Sequence, residues 1–141
     1  GESGITFYTE IPQLDKVDIF YCRSSLQYLP NWEETLAEVV DKNKPDLIIL
    51  EGTETTEMYH TYFTSQCVQF LHMDHGSVLP YCVIGITDLN AFLCGLGYEG
   101  KYFPDKYLVE SRSWVGSYDE DAEAKSIDIA NYSFIYEATK L

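Results

Sequence analysis

Basic residues are scarce in this chain. Lys and Arg number 9 against 23 Asp and Glu in 141 residues, a formal net charge of −14. Nucleic-acid backbones and anionic membranes are bound through Lys and Arg, so neither is an expected partner. The acidic excess itself serves solubility. No stretch approaches the roughly 20 apolar residues that cross a bilayer, and no signal-peptide pattern is present. The four cysteines, Cys22, Cys67, Cys82 and Cys94, contain no CxxC pair, which removes the usual zinc and dithiol redox arrangements. Three of them lie in apolar runs (IFYC, YCVIG, FLC), so buried free thiols in a reducing, cytoplasmic compartment are expected. Internal repeats and interdomain linkers are also missing, and the length fits one domain with a modest core.

What is present excludes disorder: 45% of residues are hydrophobic and 15% aromatic. Ile5 to Ile11 alternates like a short strand ending at Pro12. Val17 to Cys22 (VDIFYC) suits a buried strand. A helix should then start after Asn31, which with Glu34 has capping-box spacing. Glu33 and Glu34 favour the helix dipole, and Trp32, Leu36, Val39 and Val40 form one apolar face. Pro45 stops the helix, and Asp46 to Leu50 (DLIIL) reads as a parallel strand covered on both faces. Strand, helix and strand make a βαβ unit.

The segment Glu51 to Val78 is polar and Thr-rich, which predicts a long loop, functional or with small elements of its own. Tyr81 to Ile86 is extended in character. Asp88 can cap a second helix carrying Leu89, Phe92, Leu93 and Leu96, with Gly97 just past its end. Tyr98 to Phe103 and Ala130 to Thr139 read as strands, and the acidic stretch Tyr118 to Lys125 as an exposed turn. The fold class is therefore α/β with an antiparallel pair at the end.

Several strings invite chemistry and fail on context. Gly95-Leu96-Gly97-Tyr98-Glu99-Gly100 matches GxGxxG but closes a helix, whereas a phosphate loop must open one. His72-Met73-Asp74-His75, with His60 upstream, carries acceptable metal ligands at a spacing that fits no metal motif; a small metal-dependent enzyme using these histidines is the weakest reading, and no metal is expected. Ser24 and Ser25 lack the GxSxG elbow of a hydrolase. The 12 Tyr and 7 Phe have no basic interleaving, which argues against a nucleic-acid platform. Position is more informative: Arg23 to Tyr28 follows one parallel strand and Glu51-Gly52-Thr53 the next, where open α/β sheets bind ligands.

The run Val17-Asp18-Ile19-Phe20-Tyr21-Cys22-Arg23-Ser24-Ser25-Leu26-Gln27-Tyr28-Leu29, with Trp32-Glu33-Glu34-Thr35-Leu36 and Pro45 to Leu50, resembles the second half of a class I S-adenosylmethionine-dependent methyltransferase. It is most similar to a bacterial methyltransferase family with a Ser-Leu-Gln-Tyr signature after the fourth strand. Phe63 to Gln66, Leu79 to Cys82 and Leu96 to Glu99 are similar to later blocks. The resemblance implies a partial Rossmann-like sheet of order 4-5-7-6, formed by Val17–Cys22, Asp46–Leu50, Ala130–Thr139 and Tyr98–Phe103, with the seventh strand antiparallel. It also implies S-adenosylmethionine as cofactor, beside Ser24, Ser25, Leu26, Gln27 and Tyr28, and an acceptor, small molecule or glycan, near Gln66 and Tyr81.

The family's glycine-rich loop and acidic second-strand residue have no counterpart before Val17. The chain is thus expected to be the C-terminal part of a longer methyltransferase domain and to bind the cofactor weakly or not at all alone. A non-catalytic binding or assembly module derived from that fold is the alternative. No general base is assigned. Without a neighbour on its outer side, Val17–Cys22 should form an open sheet edge that pairs with a second copy or with Ile5–Ile11 folded back.

Overall fold

The computed structural model describes residues 4–56, 60–68, 77–104, 111–115 and 127–141. Strand β1 (Ile19–Arg23) leads through a 3-10 turn at Leu26–Tyr28 into helix α1 (Trp32–Asn43) and strand β2 (Leu47–Thr56). Strands β3 (Tyr62–Val68) and β4 (Ser77–Gly85) follow, then helix α2 (Ile86–Gly95), β5 (Tyr98–Pro104), β6 (Ser111–Val115) and β7 (Ile127–Lys140). The result is mixed α/β: seven strands joined in one sheet, with two helices among the described residues.

β2 organises the sheet. Along one edge it pairs antiparallel with β7, from Leu47↔Thr139 to Thr55↔Tyr132. Its other edge is shared end to end. β1 pairs parallel with Leu47–Glu51, and β4 pairs parallel with Thr55 and Thr56 only. β5 and β6 both lie antiparallel to β7, and β3 forms an antiparallel ladder with β4.

Both helices cover one face. Trp32, Leu36, Leu89 and Leu93 join Ile48, Leu50, Tyr136 and Ala138 in a single apolar cluster, and the Trp32 and Phe92 rings meet edge to face at 5.4 Å. Of the apolar helix positions read from sequence, Trp32, Leu36, Val39, Leu89 and Leu93 are buried, and Val40, Phe92 and Leu96 half-buried. Tyr98 spans the core to donate a hydrogen bond to the Pro45 carbonyl at 2.7 Å. The GxGxxG string is a helix end: Gly95 closes α2, Gly97 has φ +87°, and Gly100 lies in β5.

The opposite face is open. Ile19 and Tyr21 of β1 and Glu137 of β7 are exposed, and Ile49 is half-buried. The two apolar strand runs are therefore half-covered, correcting the expectation that both faces of Asp46–Leu50 and all of Val17–Cys22 are buried. Period-two burial is hidden in a run where both faces carry Ile, Leu or Tyr. Other expectations change as well. Ile5 to Ile11 forms no strand; its end is held to α1, with Lys42 Nζ donating to the Ile11 carbonyl at 3.1 Å and Asn43 Oδ1 accepting from Leu14 N–H at 2.9 Å. In Glu51–Val78, expected to be a long loop, functional or with small elements of its own, the described residues are mostly strand, since β2 runs on to Thr56 and β3 and β4 form a ladder. Thr is a good strand residue, which a reading for apolar runs misses. Helix α2 starts three residues early: Gly85, not Asp88, is its N-cap, and Asp88 lies in the first turn. Asn31 is the α1 N-cap, but its amide bonds the Glu34 carboxylate at 3.3 Å and caps no backbone N–H. Cys82 is buried and Cys22 half-buried, while Cys94 is exposed, contrary to expectation. The Tyr118–Lys125 turn and His72 to His75 lie outside the described residues, as does the Cys67 side chain. No described helix is long and apolar enough to cross a membrane.

Candidate functional site at the end of β1

Because β1 and β4 occupy the same edge of β2, the backbone of Gly52 to Glu54 is left between them. The segment Ser24–Tyr28 fills that gap. The Ser24 N–H donates to the Glu51 carbonyl at 2.8 Å, and the Gln27 side-chain amide reaches the Gly52 carbonyl at 3.5 Å. Glu51-Gly52-Thr53, read from sequence as a loop, is a bulge inside β2. The register against β7 shifts between Glu51 and Thr53, and Gly52 has φ +63°. Ser24 also has a left-handed backbone, φ 47°, so the chain turns sharply out of β1 beside the bulge.

The structure brings together most of the residues singled out from sequence. Leu26 and Gln27 are buried, Ser24 and Ser25 exposed, and the Ser25 hydroxyl donates to the Arg23 carbonyl at 2.8 Å. Tyr28 meets Tyr81 of β4 edge to face, with ring centroids 5.3 Å apart. Tyr28 is 38% exposed and Tyr81 only 6%, so Tyr28 forms the open wall. Gln66 lies in β3 opposite Leu79; its side chain is outside the described set.

Sequence reasoning missed Glu54. Its half-buried carboxylate accepts a hydrogen bond from the Tyr81 hydroxyl. Burial, then the Glu54 charge, drives the Tyr81 phenol well above its ordinary 10.0, so it stays a neutral donor. The alternation of Glu54 with Thr53 and Thr55 was the available signal, masked by assigning the stretch to a loop. Two buried acceptors, Gln27 Oε1 and Thr53 Oγ1, have no hydrogen-bond partner among the described residues.

The Cys22 and Cys82 thiols are held in the neutral form. Burial raises the Cys22 pKa, and burial with the nearby Glu33 carboxylate pushes Cys82 up to about 11. On the open face Tyr21 donates to Glu51, and Arg23 Nε lies 3.5 Å from the same carboxylate. His60 pairs with Asp88 at 2.9 Å, and no group of three or more metal-ligating side chains occurs among the described residues. A cavity of about 330 Å³ opens between Pro30–Glu34 and the start of β3, lined by Trp32, Thr61 and Phe63. In comparisons with known proteins, no family model and no curated protein matches this chain.

Proposed function

We propose that the chain is the C-terminal portion of an S-adenosylmethionine-dependent methyltransferase domain, with the Ser24–Tyr28 segment contributing to the cofactor site. One observation supports this reading above the others: within the β3-β4-β2-β7-β5 sheet, β1 also pairs with β2 and β7 is antiparallel, neighbours compatible with the 4-5-7-6 arrangement implied by the Ser-Leu-Gln-Tyr resemblance. The signature segment also lies beyond the carboxyl end of a parallel strand, the usual ligand position in an open α/β sheet. Methyl transfer from a sulfonium needs chiefly alignment and exclusion of water, so the lack of a nucleophile or base motif is compatible with it. The acceptor, small molecule or glycan, is open.

The alternative is a non-catalytic binding or assembly module on the same scaffold. Calorimetric titration of the 141-residue chain with S-adenosylmethionine tests the proposal. The expected dissociation constant is in the millimolar range or weaker. Low-micromolar binding would mean that other residues build the cofactor site, and the half-enzyme reading would have to be abandoned.

A further inference from the structure

Phe7 is the most exposed large apolar side chain among the described residues, at 91%, and its neighbours Ile5 and Tyr8 are 72% and 56% exposed. The segment Ile5–Ile11 alternates as a strand does, Ile5, Phe7, Thr9 and Ile11 against Thr6, Tyr8 and Glu10, yet it joins no described ladder. Apolar side chains gathered in water mark an interaction surface. The segment does not lie on its own β1. Lys42 Nζ, 3.1 Å from the Ile11 carbonyl, and Asn43 Oδ1, 2.9 Å from the Leu14 nitrogen, hold its end at the C-terminal end of α1.

The sheet carries a surface that matches it. Asp18 and Ser24 turn their backbone groups to β2, so Ile19, Tyr21 and Arg23 turn theirs to the outer edge of β1. No described strand pairs there. Ile19 is 54% and Tyr21 51% exposed, and both lie on the open face beside half-buried Leu47 and Ile49. The far end strand β5 differs: its register places exposed Glu99 and Lys101 on that face, and charges guard an edge. Charge is complementary as well. Lys16, Asp18 and Arg23 leave Lys16–Arg23 net positive in a chain of net charge −14, and Glu10 is the only charge in Ile5–Ile11. Covering Ile5, Phe7, Tyr8, Ile19 and Tyr21 in two copies removes on the order of 1,000 Å² from water, the size a specific interface needs.

We infer that two copies of the chain exchange these segments about a two-fold axis: Ile5–Ile11 of each copy pairs along the outer edge of β1 of the other, with Phe7 beside Ile19 and Tyr21. The contact needs no cofactor, so a failed cofactor titration leaves it standing.

Sedimentation equilibrium of the 141-residue chain should give a dimer mass. Phe7→Ser should raise the dimer dissociation constant at least tenfold, with an unchanged circular-dichroism spectrum. A side chain already in solvent within its own copy would not do this unless a second copy covers it. Asp41→Asn, exposed on α1, should leave the dissociation constant as it is. In a mixture of isotope-labelled and unlabelled chain, filtered NMR spectra should place the Phe7 ring near Ile19 and Tyr21 of the other copy. A monomeric chain would overturn the inference. So would a dimer equally tight with Phe7→Ser, or contacts from Phe7 to Ile19 and Tyr21 only within one copy.

Discussion

Ser24 and Gly52 meet where β1 ends, both with left-handed backbones. A Cβ at Gly52 would run into the Ser24 hydroxyl oxygen, so position 52 needs glycine for its φ of +63° and for the close approach. Gly52→Ala should therefore destabilise the fold by about 1–3 kcal/mol. Ser24→Gly relieves a non-glycine residue at φ 47° and removes the obstructing hydroxyl. It should cost little or stabilise by up to about 1 kcal/mol, and it should reduce the cost of Gly52→Ala when the two are combined. Urea denaturation of the two single variants and the double variant measures this coupling; strict additivity would show that the two residues do not press on each other. From sequence, Arg23–Tyr28 and Glu51–Thr53 were legible as neighbours, though only the first lies at a strand end. The bulge was not, because a single glycine among polar residues carries no mark separating a loop from an interrupted strand.

At the scale of elements, the helices were the most readable part. The spacing of Trp32, Leu36 and Val39, and of Leu89 and Leu93, follows from one buried face, and that face is buried. Leu36, fully buried, should cost about 2–5 kcal/mol on truncation to Ala, measured by chemical denaturation. The β3–β4 ladder was not legible. Its β3 strand mixes Thr, Ser and Gln with Tyr and Phe, and no apolar run or alternation marks it before it pairs with β4. The start of β3 is tied to α2 by Asp88, whose carboxylate accepts from the Thr61 N–H at 2.6 Å and pairs with His60. The Thr61 N–H first, then His60, holds the Asp88 pKa below its ordinary 3.8, and the hydrogen bond to Asp88 holds His60 above its ordinary 6.5. The stabilisation from this pair is fully present between those two ordinary values. It is lost as pH rises through the raised His60 pKa and as pH falls through the lowered Asp88 pKa. The His60 ring signals should titrate above 6.5 in NMR and return to about the ordinary value in Asp88→Asn. A His60 midpoint that does not move on that substitution would rule out the His60–Asp88 pair as its cause.

At the scale of the whole molecule, β1 is an end strand of the sheet, paired among the described residues with β2 alone. The N–H and C=O groups of Asp18 and Ser24 that face β2 are used, and residues alternate along a parallel strand. Ile19, Tyr21 and Arg23 therefore turn theirs to the outer edge, where no described strand pairs with β1. Ile5–Ile11 does not fold back onto that edge, so a second copy is the pairing we propose. Sedimentation equilibrium should give a dimer mass, and Ile19→Lys, which charges the exposed edge without touching the core, should give a monomer of similar melting temperature. A monomer in the unmodified chain would remove this proposal. The large acidic excess opposes self-association, so the dimer should tighten as salt screens it. The most direct test of the central claim, that Ser24–Tyr28 belongs to a methyltransferase cofactor site, is amide-resolved NMR of the chain with millimolar S-adenosylhomocysteine. The account predicts weak, saturable shifts confined to Ser24–Tyr28 and Glu51–Thr53. Shifts clustered elsewhere, or none at these residues, would contradict it.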